Sequence, residues 1–185
     1  MISGAETSFI LRALSEGLRV DGRRPRDARP LQVHCGEREG CVEVRLGDTK
    51  VTAVVTAELV EPYVDRPTEG QLLFFVELSP MASSTFEAGR PSEQAIELMR
   101  LLERSLRKSQ AIDVEALCAV AGKRVWSVRT DVTVIDDRGN VADAVCAAAL
   151  GALLHFRLPA VSIVGSGDEA TVKALTPEQV AEQHL

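Results

Sequence analysis

Residues 41–57 read Cys41-Val-Glu-Val-Arg-Leu-Gly47-Asp48-Thr49-Lys-Val51-Thr-Ala-Val-Val-Thr-Ala57. Val42, Val44 and Leu46 alternate with Glu43 and Arg45, the period of a strand with one buried face and one wet face. Gly47-Asp48-Thr49 is turn chemistry, and Val51 to Ala57 is rich in β-branched residues. The stretch therefore predicts a hairpin. Outward from it, Leu31 to Cys35 can start a sheet. Leu72 to Leu78 follows a polar loop, Glu61 to Gly70, as a strongly apolar strand. Leu117 to Val120 and the long alternating run Val125 to Ile135 add two more strands, and Ala160 to Val164 another after Pro159.

Helical spacing appears in three places. Residues 5–16 set Phe9, Ile10, Ala13 and Leu14 on one side, with Gly17 as a stop. Residues 92–108 set Ala95, Leu98, Met99, Leu102 and Leu106 on a buried face, with Ser92 able to cap. Residues 142–156 are alanine-rich and nearly all apolar, so burial on most sides is expected. Strands come in runs with helices inserted, which predicts an α+β fold with mixed strand pairing. The expected organisation is a helix at 1–17, one domain over 18–165 and a polar tail at 166–185. Because the last helix is followed by little further sheet, the chain is expected to be a fragment or a product that stops before its domain is complete.

With 185 residues, 45% of them hydrophobic, the chain can build one real core. Its net charge of -6 excludes a general polyanion binder, so any nucleic-acid contact must be local. Lysine occurs only at Lys50, Lys108, Lys123 and Lys173. The other cations are arginines, whose planar fork suits phosphate. Arg100, Arg104 and Arg107 recur at helical steps beside the buried face of 92–108, so they are expected to project together as a phosphate contact. Glu97 and Glu103 stand three and four residues before Arg100 and Arg107, and on spacing alone ordinary solvated pairs explain the column better than a phosphate site. A second basic cluster comprises Arg19, Arg23, Arg24, Arg26 and Arg29, diluted by Asp21 and Asp27.

No catalytic constellation is present. Asp136-Asp137 runs directly into Arg138-Gly139-Asn140 and reads as a turn, while Asp143 suits a helix dipole. His34, His155 and His184 are scattered, and Cys35, Cys41, Cys118 and Cys146 form no metal-binding spacing, so no metal or cofactor is expected. Thiols used this way, three of them within apolar runs, predict a reduced cytosolic or nuclear setting. The first ten residues lack a basic region before an apolar run, and Ala144 to Phe156 is too short to cross a bilayer; neither leader nor membrane span is expected. One Trp, one Tyr and five Phe leave little for base-stacking platforms.

Six short motifs occur in a fixed order: Arg19-Val-Asp-Gly-Arg23, Gly47-Asp-Thr49-Lys-Val51, Pro67-Thr-Glu69-Gly70, Gly89-Arg90 leading into Arg100-Leu-Leu-Glu-Arg104-Ser-Leu-Arg107, Ala121-Gly-Lys-Arg-Val125-Trp126, and Asp137-Arg-Gly139-Asn140-Val-Ala-Asp143-Ala. In this series the chain resembles the RNase PH family, which degrades RNA from its 3′ end using phosphate, and within it the RNase PH-like ring subunits of the eukaryotic RNA exosome. The resemblance covers roughly residues 8–165. It implies a ribosomal protein S5 domain 2-like fold, other RNase PH-like ring subunits and cap subunits as partners, single-stranded RNA in a central channel, and residence in the nucleus, nucleolus included, and cytoplasm.

The resemblance also assigns residues. Active members carry Asp-Gly-Gly-Thr-Arg or similar before the last buried helix, and its arginine and amides hold phosphate. Here Asp137 and Gly139 match, Arg138 and Asn140 replace a Gly and the Thr, and Val141 stands where the arginine belongs. The family's catalytic acidic pair falls beyond residue 185. No catalytic residue is therefore expected. Arg100, Arg104 and Arg107 match positions that reach RNA in related inactive subunits, and Arg19, Arg23 and Arg90 match ring or RNA contacts. The leading expectation is a non-catalytic exosome ring subunit that scaffolds the complex and lines an RNA path for RNA maturation and turnover. A phosphate-dependent 3′-to-5′ exoribonuclease and a truncated protein-interaction module are the alternatives.

Overall fold

A computed structural model describes residues 3–87, 89, 91–164 and 171–175. The chain divides into two compact units, Met1–Pro30 and Leu31–Leu185.

The first unit opens with α1 (Gly4–Ser15). Ser3 caps it by accepting from the Glu6 amide at 3.2 Å, and Glu6 lies in the first turn, where the helix dipole favours an anion. Gly17 ends it at φ 78, as expected. No residue of α1 is buried within the unit.

The second unit is built on a six-stranded mixed sheet. Its strands are β1 (Leu31–Cys35), β2 (Cys41–Leu46), β3 (Thr49–Val60), β4 (Gln71–Leu78), β5 (Cys118–Val120) and β6 (Arg124–Asp136), in the order β1-β2-β3-β6-β4 with β5 on β6. The predicted hairpin is present: Leu46 pairs Thr49, and Gly47 takes φ 61 at the first of the two loop positions. β3 and β6 pair antiparallel over most of their length, whereas β4 runs parallel to β6. A parallel pair needs a crossover, and α2 (Glu93–Leu102) supplies it. At the start of β4 the backbone of Gly70 lies so close to the Glu115–Leu117 turn that a Cβ there would sit 2.3 Å from Leu117 Cβ.

One face of the sheet carries the core. Val42, Val44, Val51, Val55, Leu72, Val76, Val128, Val132 and Val134 meet Ala95, Leu98, Leu102 and Leu106 of the α2 segment and the alanines of α3 (Val141–His155). The prediction that α3 is buried on most sides is only half right. Its alanines let it settle close on β2, within 3.4 Å of Val42 Cγ1 for a Cβ built at Gly151. That brings Ala144, Ala148, Ala149 and Ala152 to zero exposure and leaves Leu150 and Leu154 46% and 68% exposed on the far edge. All four cysteines are free thiols: Cys35 is exposed, Cys41 and Cys118 are half-buried, and the half-buried Cys146 packs against the core. Within the expected polar tail, Thr171–Ala174 forms a strand, β8, antiparallel to β7 (Val161–Val164). The rest of 166–185 lies outside the described residues.

Candidate nucleic-acid interface

α2 begins where Ser92 accepts from the Ala95 amide at 3.2 Å, the cap its sequence predicted. After Leu102 the winding loosens into a π turn, Glu103–Lys108. Each residue of so wide a turn advances less than the 100° of an α-helix. The arginine column is therefore divided. Arg100 and Arg104 are exposed, and neither has an ion pair among the described residues. Arg107 swings to Glu103, 3.3 Å away, and is half-buried. The Glu97–Arg100 pair that spacing allowed is not formed; the Glu103–Arg107 pair is.

Arg107 lines a polar depression of about 690 Å³ with Arg66, Glu69, Lys108, Asp113 and Glu115. Arg66 is itself held by Glu69 at 3.3 Å, so charge there is largely matched from within. Arg100 and Arg104 are the members of the trio free to meet an outside anion.

The R-x-D-G-R loop serves itself first. Arg23 donates to Asp21 at 2.6 and 2.8 Å and to the Asp27 carbonyl at 2.8 Å, closing the turn. The Arg23 hydrogen bonds hold the Asp21 carboxyl below its usual range. Arg19 donates its amide to the Arg23 carbonyl, and its side chain flanks a small hollow with Ile10, Leu14 and Val20. Arg90 lies outside the described residues.

The turn before α3 is assembled by a residue whose single-residue role the sequence did not signal. Thr49, fully buried at the end of the hairpin, donates its hydroxyl to the Gly139 carbonyl at 2.8 Å and accepts from the Arg138 amide at 3.1 Å. Arg138 reaches Asp136 at 3.2 Å. Asn140 sits in the left-handed region at φ 57 and turns its amide onto Asp143, 2.7 Å away. Val141 opens α3 with its side chain only 6% exposed. It packs in the core, where it can neither donate to an anion nor point at one. Among the described residues there is no cluster of three metal-ligating side chains, and no helix is long and apolar enough to cross a membrane.

This mixed sheet with its crossover helix, its Thr49-pinned turn and its arginine-bearing α2 is matched over residues 27–159 by the model of the 3′ exoribonuclease family, domain 1. The chain belongs to this family, the RNase PH family. Among its relatives, exosome complex component RRP45B of Arabidopsis thaliana is 50% identical over 171 residues, covering 92% of this chain and 39% of that protein. Exosome complex component RRP45 of Homo sapiens is 47% identical over 178 residues, covering 96% and 40%. A solved structure described as the Archaeoglobus fulgidus exosome with RNA bound to the active site superposes with a TM-score of 0.76 at 33% identity, over 94% of this chain and 77% of that one. The chain thus spans about two-fifths of the length of these two curated relatives.

Proposed function

We propose that this chain acts as a non-catalytic ring subunit of an RNA exosome. It scaffolds RNase PH-like neighbours and cap subunits and contributes to a path for single-stranded RNA. The observation that carries the non-catalytic part is Val141: the position that resemblance gives to a phosphate-binding arginine is filled by a side chain buried in the core. The only cation of the turn, Arg138, is engaged by Asp136. Exosome membership is supported by relatives bearing that name at close to half identity over nearly the whole chain.

In this reading Arg100 and Arg104 hold the RNA backbone. Their binding is salt-sensitive and blind to sequence, because phosphate contacts carry no base information. Work in the nucleus, including the nucleolus, and in the cytoplasm belongs to the same proposal.

The test is a phosphorolysis assay on the protein at the full length of its relatives, with RNA and inorganic phosphate. No nucleoside diphosphate is expected, from the isolated protein or from a Val141→Arg variant, because residue 141 faces the core. Phosphate-dependent release by the unmodified protein would establish an active exoribonuclease instead. Release gained by Val141→Arg would show that the turn is otherwise competent.

A further inference from the structure

From Leu98 to Lys108, three rows spaced by four residues differ in exposure. Leu98, Leu102 and Leu106 are buried, Met99, Glu103 and Arg107 are half-buried, and Arg100, Arg104 and Lys108 are exposed. A regular α-helix does not keep such rows straight, because four residues overshoot a full turn by about 40°. Continued as an α-helix, the segment would bring Arg107 to about 20° from Arg100 and leave Lys108 about 80° away. The π turn Glu103–Lys108 winds by only roughly 80° per residue, so it takes back the overshoot. Leu106 thereby stays on the buried side with Leu98 and Leu102, and Lys108 comes into line with Arg100 and Arg104. Arg107 moves instead onto the row of Glu103, and the 3.3 Å ion pair between the two reports the same alignment.

Arg100, Arg104 and Lys108 each stand two residues, or about half a turn, beyond a buried leucine, so their row lies opposite the core. At 1.5 Å per residue the row extends about 12 Å along the helix. It ends at the rim of the polar depression, which Lys108 borders. Three exposed cations in a line suit a polyanion laid along the helix, each cation meeting phosphate. Lysine serves the end of such a row as well as arginine does, because a point charge on a long flexible stem needs no fixed fork orientation.

We propose that Lys108, and not Arg107, is the third cation that holds the RNA backbone, completing with Arg100 and Arg104 a row along which the strand runs. The inference rests on the reading of Arg100 and Arg104 as RNA contacts.

The test is equilibrium binding of a polyuridine RNA, over a series of salt concentrations, by the assembled complex containing this subunit at the full length of its relatives. Complexes carrying Arg104→Ala, Lys108→Ala, Lys108→Arg or Arg107→Ala are compared with the unmodified one. Lys108→Ala is expected to weaken binding at least about threefold and to lower the salt slope by about 0.7, the loss of one phosphate contact on a single strand. Lys108→Arg is expected to preserve affinity and slope, and Arg107→Ala to change neither. If Arg104→Ala weakens binding while Lys108→Ala leaves affinity and slope unchanged, the inference is overturned and the RNA reading stands. An effect of Arg107→Ala as large as that of Lys108→Ala overturns it in the same way, as does failure of the Lys108→Ala complex to assemble. If neither Arg104→Ala nor Lys108→Ala alters binding, the RNA reading itself falls and takes the inference with it.

Discussion

Thr49 and Thr130 are both fully buried β-branched residues, yet one change has opposite consequences at the two sites. Thr49 gives its hydroxyl two partners across the fold, Gly139 and Arg138. The Thr130 hydroxyl has none among the described residues. An unsatisfied buried hydroxyl costs about 1–3 kcal/mol, so Thr130→Val should raise stability by about 1 kcal/mol in urea unfolding. Thr49→Val should lower it by about 1–3 kcal/mol, since it removes the hydroxyl that donates to the Gly139 carbonyl and accepts from the Arg138 amide. Equal effects of the two changes would show that Thr49 does not pin the turn. Sequence could not separate these residues, because alternation says only which face a side chain joins. Val141 was legible at this scale as a substitution, but its burial was not, since a valine opening a helix can face either way.

Among the elements, the β2–β3 hairpin was the most readable, for period two and a Gly-Asp turn both act locally. Its wet face carries a titratable device. Lys50 and Arg45 ion-pair with Glu43 at 3.0 and 2.8 Å and hold its carboxyl below the ordinary value of 4.5, Lys50 having the larger effect. A lowered folded pKa gives stability that is present above the ordinary value and lost as pH falls through the lowered one. Glu43→Gln should therefore reduce the melting temperature at neutral pH, with the gap to the unmodified protein closing below about pH 4. A gap constant with pH would remove the ion pairs from the account. The loosening of α2 into a π turn was not legible. Heptad-like spacing assumes 100° per residue, and nothing in Glu103 to Lys108 announces a wider turn. That is why three arginines in register on paper became two exposed and one paired. The open leucines of α3 were missed for a related reason: an all-apolar helix has no polar side to mark which face turns outward.

For the molecule as a whole, class and family were legible because six short motifs in order constrain a fold more than any one of them. The α+β class and the mixed pairing followed from runs of strands broken by helices, whereas the α2 crossover between β4 and β6 came only with the structure. The proposed function rests on two exposed arginines, Arg100 and Arg104, and on a turn whose position 141 is a buried valine. Arg100→Glu with Arg104→Glu alters only exposed side chains, so folding and entry into a ring should survive. Reversing two phosphate contacts should weaken RNA binding by an order of magnitude or more and flatten its salt dependence. The most direct measurement is nuclease protection of a single-stranded RNA by the assembled complex containing this double variant, compared with the unmodified complex at several salt concentrations. The account predicts intact assembly with markedly shortened protection. Unchanged protection would make the two arginines an ordinary wet helix face, and failure to assemble would make them interface residues; either result contradicts it.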